Sequence, residues 1–346
     1  MTDARARSRS TLGSLSGADL AILVAAIVAI SSSALLVRYA DASAVALAFW
    51  RTLGGGLFLW AADRWLRSGS DPIDPTRSSS PTRAGQRRPT RAQWLRIGVA
   101  GLALAVHFAA WLASLELTSV AASVTLVATA PLMIALYDAV GGRRPTMMTW
   151  IAVVLAIAGS AVITLGDLAE GADQLAGGAT TDATVPFGLS ATVWGDILAL
   201  VGAAAMAVYL VVGAELRGRL STTAYASRAY TTAAVVLGAW AMVSRVSLVG
   251  FNPQTWLAIA AMTAGPQLVG HTGLNHLLRR LGSLTVSLAL LVEPVAASLL
   301  VWAFLGEIPP SSAVVGAPIV IGAVALHLVG HRVANGSIRP DPRSAT

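Results

Sequence analysis

The stretch Leu284–Leu305, reading LTVSLALLVEPVAASLLVWAFL, carries one charge, at Glu293. No other charge occurs between Arg280 and Glu307, and Glu293 stands thirteen residues after the first and fourteen before the second. At 1.5 Å per residue, a helix places it about 20 Å from each. A run of this length and character reads as a membrane span. A carboxylate in mid-span is costly, which makes it a functional candidate by default. Pro294 beside it removes a helix hydrogen bond and kinks or opens the helix at that point.

Composition extends this reading to the whole chain. The 346 residues are 55% hydrophobic and 12% charged, about half the charge of a soluble domain. The fold class expected is therefore all-α integral membrane. The net charge of +7 is explained by loop arginines on one side of a membrane, and nucleic acid is not an expected partner. There is no cysteine, which excludes disulfides, thiolate metal sites and thiol nucleophiles. The basic start at Arg5, Arg7 and Arg9 resembles a signal peptide, but the apolar run from Ala18 to Val37 is long enough to span and is read as the first membrane helix.

Ten spans are expected, starting near Ala18, Ala42, Trp94, Val120, Met147, Trp194, Thr223, Pro253, Leu284 and Ser311. Loop charges then alternate. Arg64, Arg67, Arg77, Arg83, Arg87, Arg88, Arg91, Arg143, Arg144, Arg217, Arg219, Arg279, Arg280 and Arg332 fall on the side of the N-terminal arginines. Asp41, Glu116, Asp167, Glu170, Asp173, Asp182 and Glu307 fall on the other, with Arg38 and Arg245. The positive-inside rule places both termini in the cytoplasm, which gives an N-in/C-in protein of a prokaryotic cytoplasmic (inner) membrane. Residues 1–17 form a cytoplasmic tail, 18–166 and 192–330 two five-helix units, 167–191 an extracytoplasmic linker and 331–346 a second tail. Within the first unit, 67–93 is rich in Arg, Ser and Pro and is expected to be a disordered cytoplasmic loop.

The two units read as repeats. At an offset of 177 residues Asp19 meets Asp196, Leu23 meets Leu200, Ala26 meets Ala203 and Arg51 meets Arg228; at 163, Pro131 meets Pro294. Five spans per unit, an odd number, puts the halves in opposite orientations. Inverted repeats with helices broken near the midplane mark secondary transporters.

Several polar side chains lie inside the spans. Thr263, Gln267, His271, Asn275 and Arg279 recur every four residues, one stripe on a helix face that must line a cavity or meet another polar helix. Gly265-Pro266 just ahead predicts a bend. His107 sits near mid-span with Trp111 and Ser114 on its face. It is suited to carry a proton, or to pack as a neutral ring donating to a carbonyl. Arg51, also mid-span and followed by Gly54-Gly55-Gly56, needs an anion, either Glu293 or a substrate carboxylate or phosphate. Glu293 has three readings: proton carrier, contact for a substrate amine, or protonated packing group. Desolvation and a nearby guanidinium act on its protonation in opposite senses.

The sequence resembles the drug/metabolite transporter superfamily, in its EamA-type branch of ten-helix permeases. The resemblance rests on His107-Phe108-Ala109-Ala110-Trp111-Leu112-Ala113-Ser114-Leu115, on Thr118-Ser119-Val120-Ala121 running to Ala130-Pro131, and on Gly195-Asp196-Ile197-Leu198-Ala199-Leu200. It rests further on Gly265-Pro266-Gln267-Leu268-Val269-Gly270-His271-Thr272 with Asn275, and on Glu293-Pro294-Val295 leading to Gly306-Glu307-Ile308-Pro309. It implies two five-helix repeats around a central cavity, alternating access, and export of amino acids, other metabolites or drugs. The first half departs from the pattern. Gly142-Arg143-Arg144-Pro145 replaces a Gly-Glu turn, and Ala130 stands where Glu293 stands in the second half.

The expected function is a secondary-active permease for an amino acid-like or drug-like metabolite. Arg51, His107, Trp111, Gln267, His271 and Asn275 would line the cavity. Glu293 would be the coupling charge, and Pro131, Pro266 and Pro294 the kinks. The alternative is a lipid or lipid-linked-sugar flippase on the same fold. No P-loop, zinc-protease motif or nucleophile elbow is present, so neither enzyme, metal site nor cofactor is expected. The expected partners are a small-molecule substrate and membrane lipid, and a homodimer is compatible with this reading.

Overall fold

The structure is a computed structural model that describes residues 16–68, 89–118, 120–143, 145–175, 184–185, 189–306 and 311–336. Most of the basic segment, the Glu307–Pro309 turn and Arg144 lie outside the described residues. The first repeat contains α1 (Gly17–Arg38), α2 (Ala44–Ser68), α3 (Arg91–Leu117), α4 (Val120–Val127), α5 (Ala130–Val140) and α6 (Met147–Leu175). The second contains α7 (Ala191–Arg217), α8 (Thr222–Val243), α9 (Pro253–Met262), a π-helical segment (Thr263–His271), α10 (Thr272–Leu290), α11 (Glu293–Leu305) and α12 (Ser311–Gly336). Between them α6 continues nine residues past 166, into the stretch read from sequence as linker. A two-residue hairpin, β1 (Thr184–Val185) with β2 (Leu189–Ser190), precedes α7.

Helix starts follow local chemistry. Ser16 accepts from the Asp19 amide and Asp19 accepts from the Ser16 amide, a reciprocal cap. Thr90 and Gln93 repeat it at α3. Asn252 accepts from the Thr255 amide at 2.7 Å with Pro253 at the first turn of α9. Breaks are equally local. Pro131 and Pro294 each lie in the first turn of the second piece of an interrupted span, after Ala128–Thr129 and after Leu291–Val292. Gly282, at φ 76°, interrupts α10, a conformation that costs glycine little.

Among the described residues, five helices suffice by length and apolarity to cross a membrane: Gly17–Val37, Ala44–Trp65, Arg91–Leu117, Ala191–Arg217 and Ser312–Gly330. Pro253–Leu290 with Val295–Phe304, bent by 58°, makes a sixth. Thr125–Val140 and Met147–Val162 are shorter apolar helices. Proline interrupts some of the ten stretches read from sequence, and α8 opens on the polar TTAYASRAYTT.

The helices pair across the repeats. The closest partners are α3 with α7, α6 with α12, α2 with α8, and α1 with the π segment and α10. Counting along each repeat, third meets first, first meets third, second meets second, and the last helices, α6 and α12, meet each other. A two-fold relation between the halves produces this pattern. Large apolar side chains such as Phe58, Val140, Met242 and Phe304 are exposed. The largest fully buried side chain is Arg51, followed by Tyr209, Tyr225 and Tyr230. An apolar outside around a polar-bearing centre suits hydrocarbon as solvent.

Candidate functional site

The buried polar groups converge where α2, α3, α8 and the π segment meet. The run Gly54-Gly55 lets the π segment approach α2. A Cβ at Gly54 would stand 2.9 Å from Thr263 Cγ2, and one at Gly55 2.7 Å from Gln267 Cγ. That closeness brings Arg51 Nε to Gln267 Oε1 at 3.1 Å, both side chains buried. The guanidinium carbon lies 4.4 Å from the centroid of the Phe108 ring, a favourable cation–π position. His271 meets the same ring edge-on at 5.2 Å. After these contacts, Arg51 Nη2 and Gln267 Nε2 remain buried donors without a partner among the described residues.

The sequence predicted an anion for Arg51. Its direct partner is instead the neutral Gln267, and Glu293 acts on it through space without an ion pair. Ser31 of α1 donates to the backbone carbonyl of Glu293 at 3.2 Å. The Glu293 carboxylate itself has no hydrogen-bond or ion-pair partner among the described residues and is only half-buried. Glu293 is the first residue of α11, directly after the interrupting turn and one residue ahead of Pro294.

The predicted stripe on the eighth span does not follow one α-helical face. Thr263–His271 is π-helical, with i→i+5 bonding, and Pro266 sits inside it. The stripe's members meet different helices: Thr263 packs on α2, Gln267 bonds to α2, His271 touches α3, and Asn275 reaches α7 and α8. Arg279 is exposed and does not join them. Asn275 Nδ2 donates to Tyr209 at 2.6 Å and Tyr230 at 3.1 Å, and the Tyr209 hydroxyl contacts Asn275 Oδ1 at 2.9 Å. Tyr230 continues to Thr272 Oγ1 at 3.2 Å, and Thr272 donates to the Gln267 carbonyl at 3.1 Å. A carbonyl only accepts, so the chain runs in one direction, from Asn275 through Tyr230 and Thr272 to Gln267.

His107 is tied to α7. Its Nδ1 stands 2.9 Å from the Gly202 carbonyl, which requires the proton on Nδ1. Trp111 stacks on the His107 ring at 6.0 Å and 6° and packs beside Gly202. Both belong to the α3–α7 contact rather than to the donor pair at Arg51.

Each end of the paired helices carries a clasp. Arg280 Nη1 reaches both carboxylate oxygens of Asp19 at 2.7 Å. Thr118 Oγ1 donates to Asp196 Oδ1 at 2.8 Å, where a Cβ on Gly195 would come within 2.8 Å of the Thr118 backbone. Asp19 and Asp196 are the pair that the sequence repeat superposes, so each repeat anchors its first helix to the end of the other's third span.

Phe108, Tyr209, Tyr230, Thr272 and Ser31 were not singled out from sequence as site residues. The two tyrosines carried a usable signal, since a phenol inside an apolar span needs a hydrogen-bond partner. Phe108 and Ser31 carried none, because their roles depend on which helix lies opposite.

The model of the EamA-like transporter family matches residues 15–165 and 193–329, one match for each repeat. No curated protein matches the sequence. A solved structure described as "Crystal structure of protein" superposes with a TM-score of 0.67 at 20% identity, covering 91% of this chain and 98% of its own, which is a likeness of fold. The family is one of membrane transporters of small solutes and not of enzymes. With the family match lying over both helical repeats, and the two repeats packed reciprocally through their first and third spans, this multi-pass membrane protein belongs to the EamA-like transporter family.

Proposed function

We propose that the protein is a secondary-active permease that moves a small metabolite, amino acid-like or drug-like, outward across a prokaryotic cytoplasmic membrane by alternating access. In this reading the chain crosses ten times as two inverted repeats with both termini inside. The observation that carries it is the pair of buried donors, Arg51 Nη2 and Gln267 Nε2, that have no partner among the described residues. A buried donor left unmade costs about 1–3 kcal/mol. A substrate carboxylate, phosphate or carbonyl arriving there removes that cost. Phe108 and His271 supply an aromatic wall beside the donors, and Glu293 is the acid that acts on Arg51 through space.

Metabolites exported by overexpressing cells and retained by deletion strains give the candidate substrates. Counterflow in proteoliposomes then tests them. Gln267→Leu is expected to abolish counterflow while the protein stays folded, and unchanged exchange would overturn the site. Glu293→Gln is expected to abolish proton-coupled transport; full retention of transport driven by a pH gradient removes the proton-carrier role.

One observation favours the second reading, a lipid or lipid-linked-sugar flippase: a lateral groove between α2, α3 and α8. Its lining on α8 runs from Ser227 to Val236, about 14 Å of helix. That is half the hydrocarbon thickness of about 30 Å, too short for a path through both leaflets.

A further inference from the structure

Gln267 is held from two sides. Its side chain reaches α2, where Oε1 accepts from Arg51 Nε at 3.1 Å. Its backbone carbonyl accepts twice from one residue, from the Thr272 amide and from the Thr272 hydroxyl, the latter at 3.1 Å. An amide bonded five residues back is what makes this turn π-helical. In an α-helix the Thr272 amide would bond to the Leu268 carbonyl instead. Pro266, which has no amide hydrogen, already breaks the ladder within the segment.

The choice of register decides which side chain meets Arg51. One residue of slip turns a helix by about 100°. Counted back from a fixed Thr272, α bonding would give Leu268 the place that Gln267 holds. An apolar side chain would then oppose the guanidinium, and the Gln267 donor would leave the site.

Thr272 is itself fixed from outside the segment. Its hydroxyl donates to the Gln267 carbonyl and accepts from the Tyr230 hydroxyl of α8 at 3.2 Å. Tyr230 accepts from Asn275 Nδ2 at 3.1 Å, and Nδ2 also meets Tyr209 of α7 at 2.6 Å. The Asn275 carbonyl accepts from Arg217 Nε of α7 at 2.9 Å. Asn275 is thus gripped by both side chain and backbone, and it is buried together with both tyrosines and Arg217. The Tyr230 ring also flanks Gln267. A Cβ added at Gly55 would stand 3.4 Å from Tyr230 Cδ2 and 2.7 Å from Gln267 Cγ.

We propose that Thr272 and Tyr230 are positioning residues that lock the π register, so that Gln267 rather than Leu268 faces Arg51. The lock rests on the reading of Arg51 and Gln267 as the donors that meet substrate. Thr272 and Tyr230 act through Gln267 and not on the substrate itself.

Because the chain has no cysteine, paired thiols report the register in the full-length protein in micelles. The Cβ atoms of Gly55→Cys and Gln267→Cys would stand 3.7 Å apart, and those of Ala26→Cys and Gly273→Cys 3.2 Å, against roughly 3.5–4.5 Å in a disulfide. The first pair reads the helix before the lock and the second reads it after. Both are expected to cross-link on oxidation. Thr272→Val keeps the shape and removes the hydroxyl. It is expected to slow the first pair by about tenfold, the worth of one hydrogen bond, and to leave the second unchanged. Thr272→Ser is expected to restore the first pair. If Thr272→Val does not fold, Tyr230→Phe carries the test, since it keeps the ring and is expected to slow the first pair alone. An unchanged first pair, equal loss of both pairs, or no recovery in Thr272→Ser each overturns the lock. Counterflow separates the lock from the site. If Gln267→Leu leaves exchange intact while the cross-links behave as expected, the donor reading falls and the lock stands.

Discussion

Gly98 and Gly101 lie almost one turn apart on α3, and the structure gives them opposite fates on conversion to alanine. A Cβ at Gly98 meets nothing within 4 Å. One at Gly101 would stand 2.4 Å from Thr232 Cβ, 2.7 Å from Thr232 Cγ2 and 2.8 Å from the Ala229 carbonyl oxygen of α8. Carbon atoms in contact rest about 3.5–4.0 Å apart, so α3 and α8 must separate by about 1 Å. Both substitutions gain the same helix propensity, about 0.5–1 kcal/mol. That gain is common to the two variants and cancels between them. What remains is the overpacking cost of about 1–3 kcal/mol, roughly a factor of 5 to 150 in the folding equilibrium. The nearest atom is Thr232 Cβ, which Thr232→Ala leaves in place, and the Ala229 carbonyl remains too. The double variant Gly101→Ala/Thr232→Ala should therefore stay close to Gly101→Ala. Reversible unfolding in mixed micelles, followed by tryptophan fluorescence, measures all four proteins. Gly98→Ala is expected at or above wild type and Gly101→Ala below it by that gap. Equal stability of the two glycine variants, or full rescue by Thr232→Ala, would refute the close approach of α3 and α8.

The polar centre and the clasps give further outcomes. Tyr209→Phe removes the hydroxyl that meets both ends of the Asn275 amide and is expected to cost about 1–3 kcal/mol. Adding Asn275→Leu should cost less than the sum of the two, as a double-mutant cycle in unfolding reads directly. Because the chain has no cysteine, single introduced thiols report each end cleanly. Asp19→Asn is expected to raise labelling of Leu281→Cys by a membrane-impermeant reagent, and Asp196→Asn that of Leu117→Cys. Labelling that ignores which aspartate was changed would show that the clasps do not govern access. Arg51→Lys keeps the charge but loses the fork that meets Gln267 and Phe108 together, and counterflow is expected to fall at least tenfold.

Much of the architecture is a property of local composition. Apolar runs and their arginine-bearing ends are visible residue by residue, since a bilayer acts on every segment alike. The same holds for Ser16 with Asp19, Asn252 with Pro253, and the breaks ahead of Pro131 and Pro294. These effects span a few residues and depend on nothing distant. The repeat was legible through sparse matches such as Asp19 with Asp196. The four-residue spacing of Gln267, His271 and Asn275 correctly marked residues that avoid lipid. It misjudged their geometry, because a π-helical segment around Pro266 depends on the neighbouring α2 glycines accepting its side chains.

The sequence by itself determined that this chain lives in a membrane, that it is built twice, and which few polar side chains are too costly to face hydrocarbon. Only the tertiary structure decided their partners. Arg51 met Gln267, 216 residues away, rather than Glu293. His107 turned to Gly202, and Tyr209 and Tyr230 closed on Asn275. The physical reason is that desolvation is paid residue by residue and can be read from one segment, whereas a hydrogen bond needs two groups within about 3 Å. Which two groups meet is set by close packing at glycines such as Gly55 and Gly101, between helices far apart in the chain.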